Sequence, residues 1–139
     1  MVEKLIGCLS AQIKKRWEEY EVYTEGVYQH AVKPCFFVEC ENVEQIKLLG
    51  ERFYLRVTVK ITLQSDSEIK KYESQKMIGD FFALMNHIEV DDVILYGRKI
   101  HSKWENGALT LRGSYNVFTR AESDKNLALM ETIEAEQEI

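Results

Sequence analysis

The chain is poor in the residues that support catalysis, metal binding or a disulfide-stabilised fold. It has one proline and seven glycines among 139 residues, which argues against a linker-rich or fibrous protein. The three cysteines, Cys8, Cys35 and Cys40, are odd in number and lack a C-x-x-C spacing. A disulfide framework and a zinc ribbon are therefore disfavoured, and we predict free thiols in a reducing compartment.

Neither a membrane span nor a secretion signal is visible. No apolar run reaches the roughly 20 residues that a membrane helix needs. The first residues, Met1-Val2-Glu3-Lys4, lack the basic, apolar and small-residue parts of a signal peptide. We therefore expect no membrane partner, and we expect the protein to stay in the cytoplasm in which it is made.

Motifs for catalysis and cofactor binding are also missing. There is no P-loop, dinucleotide-binding fingerprint, nucleophile elbow or H-E-x-x-H sequence. The histidines, His30, His87 and His101, are far apart, and none has a ligand partner three or four residues away on a predicted helix. We predict no catalytic residue, no metal site and no cofactor, and hence a protein that is not an enzyme.

The net charge of −5 belongs to one segment. Residues 122–139 contain six of the 23 acidic residues and one of the 18 basic residues, which leaves 17 of each in the rest of the chain. A neutral body with an acidic tail argues against a general nucleic-acid-binding domain, which would carry a net basic charge.

Hydrophobic periodicity predicts two helices. Leu5, Leu9, Ile13 and Trp17 recur every four residues, which indicates an amphipathic helix over residues 2–19. The second helix begins at Ser65, because Ser65-Asp66-Ser67-Glu68 fits a capping box. Its apolar stripe consists of Ile69, Tyr72, Ile78, Phe81, Phe82 and Met85, and Asn86-His87 marks its end.

Alternating residues predict most of the strands. The predicted elements are a short strand over residues 20–29, a strand over 35–40 that follows Pro34, a polar loop over 41–50, and a long alternating strand over 51–63. Strands at 92–104 and 108–121 are joined by Asn106-Gly107, the preferred two-residue type I′ turn. This turn pairs residues whose numbers sum to 213, so that one hairpin face is apolar and packs on the helices.

These elements define an α+β fold, with a mainly antiparallel sheet of about four to five strands, two helices packed on one face and a long C-terminal hairpin. We expect one domain over residues 1–121 and an acidic C-terminal tail over 122–139. Leu127, Met130 and Ile133 give that tail the stripe of a short helix.

The polar faces of the strands provide a candidate interface. Basic side chains are predicted to gather on the solvent side of the sheet, and acidic ones in the tail supply a complement. The residues are Arg56, Lys60, Lys99, Lys103 and Arg112 on the sheet, with Glu131, Glu134 and Glu136 in the tail. A tail that reaches the next subunit's sheet suits a cyclic assembly built from one heterologous contact. The alternative is an ordinary solvated face.

Residues 2–121 resemble the phage tail terminator family. The resemblance rests on the initial helix, the aromatic strand Tyr23 to Gln29, the motif Pro34-Cys35-Phe36-Phe37-Val38, the motif Gly50-Glu51-Arg52-Phe53-Tyr54, and the long strand, helix and closing hairpin that follow. The chain departs from relatives at Lys60-Ile61-Thr62-Leu63, where theirs are often more aromatic or acidic. The acidic tail lies outside the common core.

The resemblance implies a structural virion protein of a phage, a prophage or a phage-tail-like particle. It implies a homo-oligomeric ring, with six subunits expected, that docks on the last ring of the tail tube, stops polymerisation and offers a joining surface to the head–tail connector. The implied location is the tail or neck of the virion, with assembly in the bacterial cytoplasm. Implied partners are the tail tube protein and, in contractile tails, the sheath, while DNA only passes through the lumen.

Two alternatives stay open at the level of sequence. The first is another neck component, such as a head–tail connector or a tail-completion protein. The second is a small cytosolic ligand-binding or enzymatic α+β domain, which a deep pocket with convergent polar groups would favour.

Overall fold

The computed structural model describes residues 1–24, 34–64 and 71–118. Helices and strands occur in these residues in the order α1 Val2–Arg16, β1 Glu21–Tyr23, β2 Cys35–Lys47, β3 Phe53–Gln64, α2 Lys71–Lys76, α3 Ile78–Asn86, β4 His87–Val90, β5 Val93–Tyr96, β6 Arg98–Glu105 and β7 Ala108–Val117.

A five-stranded mixed sheet in the order β1-β2-β3-β7-β6 forms the centre of the fold. The pairs β2–β3, β3–β7 and β7–β6 are antiparallel, as predicted, but β1 pairs with β2 in the parallel direction. The chain between β1 and β2 is long enough to return to the same end of the sheet, which a two-residue hairpin turn cannot do. The predicted α+β class is confirmed, and the expected antiparallel sheet is corrected to a mixed one.

The hydrophobic core lies between one face of this sheet and the helices α1 and α3. Leu5, Leu9 and Ile13 of α1 are fully buried, in agreement with the predicted stripe. The Trp17 ring stacks on the Phe81 ring of α3, with centroids 4.4 Å apart. The sheet contributes buried residues at alternate positions of its central strands, namely Val57, Val59, Ile61, Leu63, Leu109, Leu111, Tyr115 and Val117.

The polar loop predicted over residues 41–50 is wrong, because β2 continues to Lys47. A bulge lies between Cys40 and Asn42, and pairing with β3 then resumes as far as Lys47 opposite Phe53. Most side chains in this part of β2 are exposed, so neither face imposes an apolar alternation. Backbone pairing with β3 holds the segment as a strand, and sequence periodicity does not report that contact.

The second predicted helix is two short helices, α2 and α3, separated at Met77. Phe81 and Met85 are buried as predicted, whereas Phe82 is 37% exposed. The predicted start at Ser65 lies outside the described residues. Residues of α1 and α3 share the hydrophobic core with the sheet, so the predicted packing of two helices on one face is matched in part.

The predicted register of the C-terminal hairpin is confirmed near its turn and is wrong further away from it. Asn106 and Gly107 both have positive φ, and His101 pairs with Arg112 in the predicted register. The register shifts by one between His101 and Arg98. The predicted pairs Arg98/Tyr115 and Tyr96/Val117 are therefore replaced by Arg98/Ser114 and Tyr96/His87.

A second hairpin accounts for this correction. Asp91 and Asp92 both have positive φ and form the turn between β4 and β5. The chain leaves this small sheet at Gly97, whose backbone N–H donates to the Asn86 carbonyl over 2.8 Å. A Cβ atom at position 97 would lie 2.3 Å from the Met85 carbonyl oxygen, so the sharp change of path requires glycine.

Candidate functional site

The sheet face that points away from the helices carries four of the five predicted basic interface residues, and we call it the polar face. It contains Arg56 and Lys60 of β3, Arg112 of β7, and their neighbours on β2 and β6. One row across four strands reads Glu39, Lys60, Arg112 and His101, each paired with the next. Acidic and basic side chains therefore meet on the same face.

Arg112 is the centre of a charged network on the polar face. Its Nε atom donates to Glu41 Oε2 over 2.8 Å, and its Nη1 and Nη2 atoms donate to the two carboxylate oxygens of Glu105 over 2.7 and 3.0 Å. The Arg112 side chain is only 18% exposed. This two-pronged geometry holds the guanidinium in one orientation, because both nitrogens face a matching oxygen.

The network also sets the charges of its members. Hydrogen bonds from Arg112 lower the pKa of Glu105; burial opposes them, and the positive charges of Arg112, Lys103 and Lys60 lower the pKa further. Hydrogen bonds to Glu105 and Glu41 raise the pKa of Arg112. Both shifts favour the charged forms, so Arg112 and Glu105 form an ion pair at neutral pH.

The structure places Arg56, Lys60, Lys103 and Arg112 on the polar face, but in different settings. Arg56 donates to the Tyr54 hydroxyl over 3.5 Å. Lys60 and Lys103 lie close enough to Glu105 to influence its charge. Lys99 lies in the β6 bulge with φ of 52° and is exposed. The tail residues Glu131, Glu134 and Glu136 lie outside the described residues, so the interface itself stays a prediction.

Sequence reasoning missed the acidic partners of Arg112. The predicted hairpin register already placed Glu105, Lys103 and His101 on the same face as Arg112, so the contact with Glu105 had a usable signal. No such signal existed for Glu41, because residue 41 was predicted to lie in a loop. The extra residue of the bulge in β2 brings Glu41 towards β7.

A shallow groove of about 390 Å³ lies on the helical side of the molecule. It is lined by Gln12, Ala83, Leu84, His87, Ile88, Glu89 and Ile94. Its titratable side chains, His87 and Glu89, are two residues apart on the exposed face of β4. Within the part of the chain that the structure describes, the groove offers one imidazole and one carboxylate to a small molecule.

Other chemical groups are sparse in residues 1–24, 34–64 and 71–118. Within these ranges no three side chains of His, Cys, Asp or Glu are grouped so that they could hold a metal ion. The three cysteines are free thiols: Cys35 is buried, Cys8 is half-buried and Cys40 is exposed. No helix in the described part of the chain is long and apolar enough to cross a membrane.

The described residues form an α+β fold with a mixed sheet, one face of which carries the charged network around Arg112. A sequence model of the family described as "Phage tail terminator protein" matches residues 5–126. The chain therefore belongs to the phage tail terminator family, which confirms the predicted resemblance, and membership gives it a structural role in a phage tail. A comparison with curated proteins gave no match.

Proposed function

We propose that this protein caps the tail tube as a ring, ends its polymerisation and provides the joining surface towards the head connector. The observation that carries the proposal is the family match over residues 5–126. The mechanism is steric: one side of the ring matches the end of the tube, and the other presents a different surface, to which a further tube subunit cannot add. Such a mechanism needs no catalytic group.

The ring is built from identical subunits, and we propose six. A closed ring requires two different surfaces on each subunit, because each subunit contacts its neighbours head to tail. DNA passes through the lumen without a dedicated binding site. The proposed partners are the tail tube protein, the head–tail connector and, in a contractile tail, the sheath.

The acidic tail is proposed as one of the ring contacts. In this arrangement Glu131, Glu134 and Glu136 lie against the basic residues of the next subunit's polar face. Since Arg112 is already bound by Glu41 and Glu105, Lys60 and Lys103 are the better partners for the tail. A chain truncated after Ala121 then assembles less readily, and the defect is larger at low salt. Unchanged assembly of the truncated chain would remove the tail from the interface.

Binding to purified components tests the capping role. The full-length protein is mixed with tail tubes assembled in vitro and, separately, with portal–connector complexes, and binding positions are imaged by electron microscopy. We expect particles at one end of the tubes, and we expect tubes to stop growing when more tube protein is added. Binding to the portal without binding to tubes would identify a head–tail connector or tail-completion protein instead.

A further inference from the structure

Apolar side chains are exposed in and beside the groove on the helical side of the molecule. Leu84 of α3 and Ile94 of β5 both line the groove, and Ile94 is 51% exposed. Tyr96 lies on the same face of β5 as Ile94, two residues further along the strand, and is exposed as well. Exposed apolar side chains that border a groove are typical of an interaction site.

The acidic tail contains an apolar pattern that the family match does not account for. Leu127, Met130 and Ile133 recur every three residues, as the apolar stripe of a short helix would. The match to the tail terminator family ends at residue 126, just before the first of them. All three lie outside the described residues, and a surface that contacts them must be within reach of the end of β7.

The groove is within that reach. Strand β5 contacts β7, and Arg98, two residues after β5, pairs with Ser114. Strand β5 therefore lies at the C-terminal end of β7, where the described chain ends at Phe118. From Phe118 to Leu127 an extended chain spans roughly 30 Å, whereas neighbouring strands such as β4 and β5 are only about 5 Å apart. The apolar pattern of the tail can thus reach the groove of its own subunit.

Charge is compatible with this contact. The groove contains one carboxylate, Glu89, and one imidazole, His87. Residues 126–130, Asn-Leu-Ala-Leu-Met, form the longest uncharged run of the acidic tail, so they bring no carboxylate against Glu89. Because burial of an unpaired charge is unfavourable, this run is the part of the tail that the groove accepts most readily.

We propose that residues 126–133 of the acidic tail pack into the groove of their own subunit, with the apolar stripe of the tail against Leu84 and Ile94. An amphipathic helix that lays its apolar face into a groove is a common mode of recognition. The contact removes Ile94 and the stripe from water, and this burial drives the docking.

Docking leaves the proposed ring contact of the tail in place. Glu134 and Glu136 follow the docked segment and remain available to the next subunit's polar face. Glu131 is one position from Met130 and therefore about 100° from it around a helix, which turns its carboxylate away from the groove. Docking takes place within one subunit and does not depend on the capping role.

Disulfide closure in the full-length protein tests the docking. Cys8→Ser and Cys40→Ser first remove the two thiols that are not buried. Ile94→Cys is then combined with Leu127→Cys or, in a second protein, with Met130→Cys. Each purified protein is equilibrated in glutathione buffers, and the fraction of linked monomer is measured by mass spectrometry after thiol alkylation. A disulfide forms only where the two Cα atoms come within about 7 Å of each other.

Val43→Cys replaces Ile94→Cys in the matched control, because Val43 is 45% exposed and lies on the outer half of β2. We expect at least one of the Ile94→Cys proteins to close with an equilibrium constant about tenfold or more above its control, since docking raises the effective concentration of the two thiols. Adding Leu127→Ser and Ile133→Ser to the Met130→Cys protein should remove this preference.

Three results would overturn the docking. The first is equal closure with Ile94→Cys and Val43→Cys, and the second is a preference that survives Leu127→Ser and Ile133→Ser. The third is a linked dimer in place of the linked monomer, which would show that the groove takes the tail of another copy. None of these results bears on the capping role, which fails separately if the full-length protein does not bind tube ends.

Discussion

The hydroxyl of Tyr115 anchors the end of α3 to the sheet, and its removal gives a quantitative test of the fold. Tyr115 is fully buried on β7, and its hydroxyl donates to the Met85 carbonyl over 2.6 Å. This carbonyl belongs to the last turn of α3, where carbonyls lack partners within the helix. The change Tyr115→Phe removes the donor and leaves the packing of the ring almost unaltered.

The expected loss of stability follows from the unpaired acceptor. A buried polar group without its hydrogen bond costs about 1–3 kcal/mol, and we expect the lower part, about 1–2 kcal/mol, because the cavity left by one oxygen is small. For a domain of this size each kcal/mol lowers the melting temperature by roughly 3–5 °C. The midpoint of Tyr115→Phe should therefore fall by roughly 3–10 °C.

The assay is thermal and urea denaturation followed by circular dichroism. Tyr96→Phe is the matched control. Tyr96 is 62% exposed, so the loss of its hydroxyl should leave the midpoint unchanged. If Tyr115→Phe and Tyr96→Phe unfold together with the wild type, the hydroxyl does not hold α3 to the sheet, and the argument fails.

The same residue predicts a dependence on alkaline pH. Burial raises the pKa of the Tyr115 hydroxyl above its ordinary value. Below about pH 10 both states keep the proton and stability is complete; at higher pH the unfolded chain loses the proton first, and stability falls. Tyr115→Phe should lose less stability than the wild type between neutral pH and alkaline pH. Parallel curves for the two proteins would contradict this assignment.

Two further predictions concern the β4–β5 exit and the polar face. Gly97→Ala places a Cβ atom 2.3 Å from the Met85 carbonyl oxygen and should lower the free energy of unfolding, measured by urea denaturation, by about 1–3 kcal/mol. The control Gly79→Ala has open space around it in α3 and should be neutral or stabilising by up to about 1 kcal/mol. Equal effects of the two changes would refute the close approach at Gly97. Arg112→Gln should destabilise the protein at neutral pH, and the loss should shrink as the pH falls below about 4. The pKa of Glu105 is lowered by Arg112 in the folded protein, so the stabilisation from this ion pair is lost in the wild type as Glu105 becomes protonated. A loss of stability that does not depend on pH would contradict this.

The helices and strands that bury one face and expose the other were predictable from sequence. The α1 stripe and the alternation of β3 follow directly from burial against one layer, and the Asn106-Gly107 turn sets the register of the residues next to it. In each case the pattern in the sequence and the packing in the structure have the same physical cause.

The errors occur where backbone contacts, rather than burial, decide the structure. The outer half of β2 is exposed on both faces, so a strand there resembles a polar loop. The long C-terminal hairpin was broken by Gly97 and by the Asp91-Asp92 turn, since a competing strand, β4, was available to pair with β5. For the candidate interface, the same gap hid Glu41 as a partner of Arg112.

The most direct test of the capping role is the distribution of tail lengths in particles from a strain that lacks this gene, measured by electron microscopy and complemented by the wild-type gene. We expect over-long or irregular tubes without heads, and complementation should restore a single length. Tubes of normal length that lack heads would contradict termination and indicate a connector, and fully normal particles would contradict any essential role in the tail.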